Sequence, residues 1–242
     1  MANLPDDLNV RLSNAVKSFW KKRKEQELRQ RRNGRHDQGT RSAVTGGAQM
    51  DGFIEIIKDL IVSAGVSEGN IFYDTAIDLP GYYRPTKEWD LLAILPEGAL
   101  VAIEAKSQVG PSFGNNFNNR IEEAMGSALD FWTAYREGVY KKSIHPWLGY
   151  VFLLEDCTRS TSPVKVNESH FEVLPEFKSA SYADRYKIFC KKLILERQYS
   201  SAAFLMSSQE GGLEGIYIEP EPDINFEQFA RSLVAYVGAF VK

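Results

Sequence analysis

The chain has 242 residues, 43% of them hydrophobic and 25% charged, with a formal net charge of −3. That is the size and composition of one ordinary globular domain, and no apolar run approaches membrane-spanning length. Cys157 and Cys190 are its two cysteines, which argues against a disulfide framework or a thiolate metal cluster, and the opening Met1-Ala-Asn-Leu-Pro lacks a secretory signal, so a soluble cytoplasmic protein is expected.

The charge is unevenly divided. Up to Arg41 there are 11 Lys and Arg against 5 Asp and Glu, a net +6 that leaves −9 for the remainder. Such asymmetry points to an element meant to lie against phosphates. Leu8, Leu12, Ala15, Val16 and Phe19 recur at helical spacing, so an amphipathic helix opens the chain, runs into the basic stretch and stops near Asn33-Gly34. Residues 39–47 read as a loop rich in Gly, Ser and Thr. A second helix follows with Phe53, Ile56, Ile57, Leu60 and Ala64 on one face and Glu55 at its border.

The region from Ile71 to Trp89 reads as irregular and extended, with Tyr82, Tyr83 and Arg84 before Pro85. Two apolar runs then flank Pro96-Glu97-Gly98, whose residue types suit a three-residue hairpin loop. If Leu95 and Ala99 close that loop, Asp90 lies across from Glu104. Alternation along the strand puts Lys106 on the Glu104 face as well. A slip of one residue would turn Asp90 to the other face. Val101, Ala102 and Ile103 are apolar on both faces up to Glu104, and charges at the end of a buried strand need partners or a metal.

Residues 107–119 are dense in Gly, Asn and Ser, and Ile121, Met125, Ala128, Leu129 and Trp132 mark a helix ending near Gly138. Trp147 to Leu154 is a buried strand by composition. Tyr182, Tyr186, Phe189, Cys190 and Leu193 suggest another helix. Ala202–Met206 and 215–218 read as short strands around a Gly211-Gly212 turn, and Phe226, Phe229, Leu233, Tyr236 and Val237 make a last helix. The expected fold class is α/β, a mixed central sheet flanked by helices with extra N- and C-terminal helices.

An Asp on one strand and a Glu-x-Lys on the next are the residue types that hydrolyse a phosphodiester. Asp90 and Glu104, with the Ala105 carbonyl, could hold Mg²⁺, a hard cation that takes oxygen ligands and keeps several waters. Lys106 would orient or help deprotonate the attacking water. Asp90…Glu104-Ala105-Lys106 resembles the PD-(D/E)xK nuclease motif, with Trp89 standing where the motif has Pro.

The stretch from Glu88 to Tyr135 is similar to the XhoI-like type II restriction endonucleases, above all in Glu104-Ala-Lys-Ser-Gln-Val-Gly110, Phe113-Gly-Asn-Asn-Phe-Asn-Asn-Arg120 and Ala128-Leu-Asp-Phe-Trp132. The resemblance implies a restriction-endonuclease-like fold and a homodimer that cleaves double-stranded DNA at CTCGAG with Mg²⁺. It also implies a cognate DNA methyltransferase; no membrane association is expected, from the lack of a membrane-spanning apolar run. It makes residues 1–242 a single nuclease domain, with 1–41 a basic N-terminal extension, 48–154 the catalytic core and 155–242 a C-terminal part. Asp90 and Glu104 become metal ligands and Lys106 the catalytic lysine. Relatives of this fold add an acidic residue from the preceding helix, for which Glu55 is the choice.

Gln108, Asn115, Asn116, Asn118, Asn119 and Arg120 follow the active strand and suit bases or phosphates, although Gly, Ser and Asn also build turns and caps. Tyr82, Tyr83 and Arg84 are a second possible DNA contact. The rivals are another nuclease on this fold, repairing DNA or resolving junctions, and a DNA-binding protein without catalysis. His36, His145 and His170 stand alone, Ser207-Ser208 has no identifiable base, and no phosphate-binding loop ending in Gly-Lys-Ser/Thr occurs.

Overall fold

The computed structural model describes residues 4–32, 47–141 and 144–241. The expected helix stop at Asn33-Gly34, residues 39–46 of the expected loop, and Arg35, His36 and Arg41 lie outside the described residues. In chain order, α1 (Leu8–Arg32) and α2 (Asp51–Ser63) precede β1 (Ile71–Phe72), a ribbon of β2 (Asp78–Pro80) and β3 (Thr86–Glu88), and the hairpin of β4 (Leu91–Ile94) and β5 (Leu100–Gln108). Then come α3 (Phe113–Arg136), β6 (Trp147–Glu155), a short α4 (Thr158–Thr161), α5 (Tyr182–Leu195), β7 (Ser201–Ser207), a short α6 (Gln209–Leu213) and α7 (Phe226–Gly238). None of the described helices is long and apolar enough to cross a membrane.

The main sheet has five strands in the order β1-β4-β5-β6-β7. Its first three strands pair antiparallel and its last three parallel. Side chains alternate between its faces, so Val101, Ile103, Val151, Leu153, Ala203 and Leu205 bury against α1, α2 and α7. Ala102, Leu148, Tyr150, Phe152, Leu154 and Phe204 bury against α3 and α5 on the other face. Burial on both faces explains why β6 is apolar throughout rather than alternating. This is the expected mixed α/β architecture of the restriction-endonuclease-like kind.

Helix α1 packs into the core along Leu8, Leu12, Ala15, Val16, Phe19 and Trp20, in one cluster with α2 and α7. Trp20 Nε1 donates to Ser207 Oγ at 3.1 Å, and the indole lies where a Cβ on Gly212 would come within 1.9 Å of Trp20 Cδ1. Only glycine permits that approach.

Three local readings are corrected. Helix α3 begins at Phe113, ahead of the expected stretch, so Asn115 to Arg120 lie on its first turns rather than in a loop. Phe113 and Phe117, one turn apart, pack against Tyr182, and this tertiary contact outweighs the weak helix propensity of the asparagines. Gly211-Gly212 is part of α6 rather than a turn, because Ser208 Oγ caps the Gly211 N–H at 3.1 Å. The expected strand at 215–218 contributes only the bridge Met206↔Ile218.

Candidate active site

The hairpin closes as its residue types require. Leu95 N–H donates to the Ala99 carbonyl at 2.8 Å, Pro96–Gly98 makes one 3₁₀ turn, and Gly98 takes φ +80°. The pairs run from Ile94↔Leu100 to Leu91↔Ile103, the expected register. There the ladder ends, and Asp90 N–H reaches back to the Ile103 carbonyl at 3.0 Å. Asp90 Oδ2 accepts from Ala105 N–H at 2.8 Å and from Lys106 Nζ at 2.9 Å. Lys106 Nζ is also 3.4 Å from Glu104 Oε1. The three residues singled out from the sequence therefore meet at one strand end.

Glu104 is the deepest of them, its side chain 3% exposed on the face covered by α3 and α5. The Tyr199 hydroxyl donates to its Oε2 at 2.9 Å and Lys87 Nζ to its Oε1 at 3.3 Å. Lys87 also reaches the Glu88 carbonyl at 3.0 Å and lies over the Trp89 ring, 4.3 Å from its centroid. Burial works to raise the Glu104 pKa, but the Lys106 and Lys87 charges and the Tyr199 hydrogen bond outweigh it and hold the carboxyl below its ordinary value. Burial also lowers the Lys87 pKa against the pull of Glu104, whereas Glu104 and Asp90 together hold the Lys106 ammonium above its ordinary value in spite of burial. Two carboxylates and two ammonium groups thus form a nearly neutral cluster.

Lys87 and Tyr199 are absent from the sequence-based set. Lys87 sits on β3, inside a stretch read as irregular, so no strand register gave it a face. Tyr199 follows α5 and is far from Glu104 in sequence, and no local pattern links them.

The cluster lies in a cleft of about 750 Å³ lined by Arg23 of α1, Gln49 and Met50 ahead of α2, the β2–β3 ribbon, β5 and α3. Tyr83, Arg84, Gln108, Asn116 and Arg120 line it. Arg120 is paired with Glu123 at 2.5 Å. Asn115, Asn118 and Asn119 are exposed and do not line it. Gln108 is buried, donating to the Phe113 carbonyl at 3.0 Å and accepting from the Tyr186 hydroxyl, so it ties β5 to α3 and α5. Glu55 is exposed on α2 and lines a separate shallow depression with Arg11, Lys22 and Asp59, so the structure does not bring it to Asp90 and Glu104. The helical periodicity placed Glu55 at the border of an apolar face without saying which neighbour that border meets.

The loop joining β2 to β3 is pinned by Asp130 of α3. Its Oδ1 accepts the N–H groups of Tyr82 and Tyr83, each at 2.8 Å, and its Oδ2 accepts Arg84 Nε at 2.7 Å. A Cβ on Gly81 would lie 2.5 Å from that carboxylate. Tyr82 and Tyr83 themselves stand 52% and 66% exposed in edge-to-face contact. Replacing Asp130 by Ala should cost about 1–3 kcal/mol of unfolding free energy, since three donors lose one buried acceptor. Urea denaturation measures that loss; an unchanged midpoint would contradict it.

Of the histidines, His170 is exposed, and the His145 ring packs against Trp132 with centroids 4.9 Å apart. Ser207 accepts from Trp20 and donates to the Ile216 carbonyl at 2.7 Å, a structural role. Both cysteines are free thiols.

A family profile described as "Restriction endonuclease XhoI" matches residues 29–219. The chain is 53% identical over 207 residues to the type II restriction enzyme BstVI of Geobacillus stearothermophilus, covering 84% of this chain and 92% of that one. It is 47% identical to the type II restriction enzyme XhoI of Xanthomonas vasicola over 65% of this chain and 64% of that one. With the type II restriction enzyme AbrI of Azospirillum brasilense the identity is 43% over 68% and 74% of the two chains. No solved structure matches. A cleft carrying Asp, Glu and Lys at one strand end of a hairpin within a mixed sheet, joined to identity of this extent, places the chain in the XhoI restriction endonuclease family.

Proposed function

We propose that this enzyme, a type II restriction endonuclease, cuts double-stranded DNA at the palindrome CTCGAG, using Mg²⁺ held by Asp90, Glu104 and the Ala105 carbonyl, with Lys106 as the catalytic lysine. The observation that carries this reading is the convergence of Asp90, Glu104 and Lys106 at one strand end inside an open cleft.

The donor set suits the ion. In an extended chain a residue's N–H and C=O face the same edge, and the Ala105 N–H points to Asp90. Its carbonyl therefore faces the same edge as the Asp90 carboxylate. Among the described residues no group of three or more Asp, Glu, His or Cys forms a full metal cage. Two carboxylates and a carbonyl fit a cation that retains several waters. Such an ion, when bound, supplies charge to the phosphoryl oxygens and acidifies water. Lys106, held between both carboxylates, orients the attacking water and offsets charge that develops on the phosphate. The Lys106 and Lys87 charges, with the Tyr199 hydrogen bond, keep Glu104 ionised, and Tyr199 and Lys87 each fix one of its oxygens.

Tyr83 and Arg84 of the β2–β3 loop, and Asn116 and Arg120 of α3, line the cleft and would contact a DNA backbone entering it. Asn115, Asn118 and Asn119 would meet DNA only outside the cleft. Gln108, with both ends of its amide engaged, supports the wall that carries Asn116. A palindromic site matches a homodimer, each subunit cutting one strand, and a methyltransferase acting on the same site would protect the host. The reading of residues 1–242 as one nuclease domain is supported by a common core that includes α1, and the cytoplasm, where the host DNA lies, is the proposed location.

Digestion of a long unmethylated DNA with Mg²⁺, followed by sequencing of the fragment ends, tests the proposal. Ends falling within CTCGAG are expected. Discrete ends at another sequence would overturn the site assignment, and intact DNA beside a band shift would overturn catalysis.

A further inference from the structure

Helix α1 brings to the cleft an arginine whose Nε–H has no hydrogen-bond partner among the described residues. Five cationic side chains line the cleft among the described residues: Arg23, Arg84, Lys87, Lys106 and Arg120. Four of them lie within 3.4 Å of a carboxylate oxygen. Arg23 is different. Among the described residues its buried Nε has no hydrogen-bond partner, and its ion pair with Glu27 of the same helix is a long one, 3.8 Å. An unsatisfied buried N–H on a charged group is costly in a native structure and calls for a reason.

The backbone around Arg23 is held firmly. Lys22 donates to the Ala48 carbonyl at 2.6 Å and to Asp51 Oδ2 at 2.7 Å, and Gln26 accepts from the buried Gln49. Trp20 anchors the preceding turn in the core. Arg23 therefore stands on a fixed helix rather than on a free tail, and its side chain is only 17% exposed. A guanidinium fixed at the wall of a cleft with its Nε–H unpaired suits a phosphate, since the planar fork donates two parallel hydrogen bonds to phosphate oxygens.

We infer that Arg23 is a phosphate-binding residue, gripping the DNA backbone in the cleft that holds the catalytic cluster. It rests on the reading of this cleft as the DNA site, and it extends that reading to a residue preceding the span matched by the family profile.

The test is equilibrium binding of a 20-base-pair duplex carrying CTCGAG, with Ca²⁺ in place of Mg²⁺, over a series of salt concentrations. Arg23→Ala should bind roughly 10- to 100-fold more weakly and lower the slope of log K against log salt by about 1. The same loss should appear with a duplex lacking the site, because a phosphate contact carries no sequence information. An Arg23→Ala protein with the wild-type affinity and slope would overturn the inference. So would a loss confined to the CTCGAG duplex, which would make Arg23 a base reader. If Arg23→Ala does not fold, Arg23→Gln, which keeps a polar side chain but removes the charge and the fork, carries the same two readouts. Wild-type protein that neither binds nor cuts DNA would instead refute the function on which the inference rests.

Discussion

Replacing Lys106 by Ala should lower the single-turnover rate of DNA cleavage by roughly 10²- to 10⁴-fold, the range supplied by a positioned proton-transfer or charge-stabilising group. Binding of DNA in Ca²⁺ should stay within a few-fold of wild type. Lys106 bridges Asp90 at 2.9 Å and Glu104 at 3.4 Å, and its loss leaves Lys87 still 3.3 Å from Glu104. The site then holds two carboxylates and one ammonium, so its affinity for a divalent cation should rise. Chemistry and cation binding thus move in opposite directions. A parallel loss of both would show that Lys106 holds the site together rather than acting on substrate. Titration of the variant with Mn²⁺, beside a cleavage time course, separates these outcomes.

Glu104→Gln should remove cleavage altogether and weaken the fold by about 3 kcal/mol, at the lower end of what breaking a buried ion pair costs. Lys87 and Lys106, 12% and 24% exposed, then share one carboxylate, and Tyr199 loses its charged acceptor. The effect carries a pH signature. The folded-state pKa of Glu104 is lower than its unfolded value, so ionisation stabilises the fold above the ordinary carboxylate range and ceases to do so as pH falls through the lower, folded value. The stability gap between wild type and Glu104→Gln should therefore be full at pH 7 and close as the pH falls below about 4. Urea midpoints measured from pH 7 to pH 3 check this. A gap independent of pH would mean that the amide disturbs packing and that charge is not the cause.

What was legible in the chain follows from the range of the interactions. The hairpin was readable because its register depends on three adjacent residues, Pro96-Glu97-Gly98, and everything from Leu91 to Lys106 follows by alternation. The α2, β6, α5 and α7 elements were readable because each has an apolar pattern that local geometry turns into a face. The start of α3 was not, because the packing of Phe113 and Phe117 on Tyr182 overrides a run of asparagines, and that partner is more than 60 residues away. The surroundings of Glu104 were illegible for the same reason. Tyr199 comes from beyond α5, and Lys87 comes from a ribbon too short to show periodicity. Asp130 looked like part of an amphipathic helix, yet its carboxylate fixes the Tyr82–Arg84 loop across the cleft. Within the site, then, sequence reveals the chemistry carried by neighbouring residues, and the fold supplies the groups that hold it in place.

The most direct measurement is the cation dependence of single-turnover cleavage by Asp90→Asn beside the wild type. Asn keeps an oxygen for the Ala105 N–H, now 2.8 Å from Asp90 Oδ2, so the strand end remains closed while one charge is removed. Wild type should be inactive in EDTA and active in Mg²⁺. The variant should need more than about 100-fold higher Mg²⁺ for half its maximal rate, a larger shift than the 10- to 100-fold typical of groups beyond the ligands themselves. Cleavage by wild type in EDTA, or an Asp90→Asn enzyme with wild-type rate and Mg²⁺ dependence, would contradict a metal-dependent centre on Asp90 and Glu104.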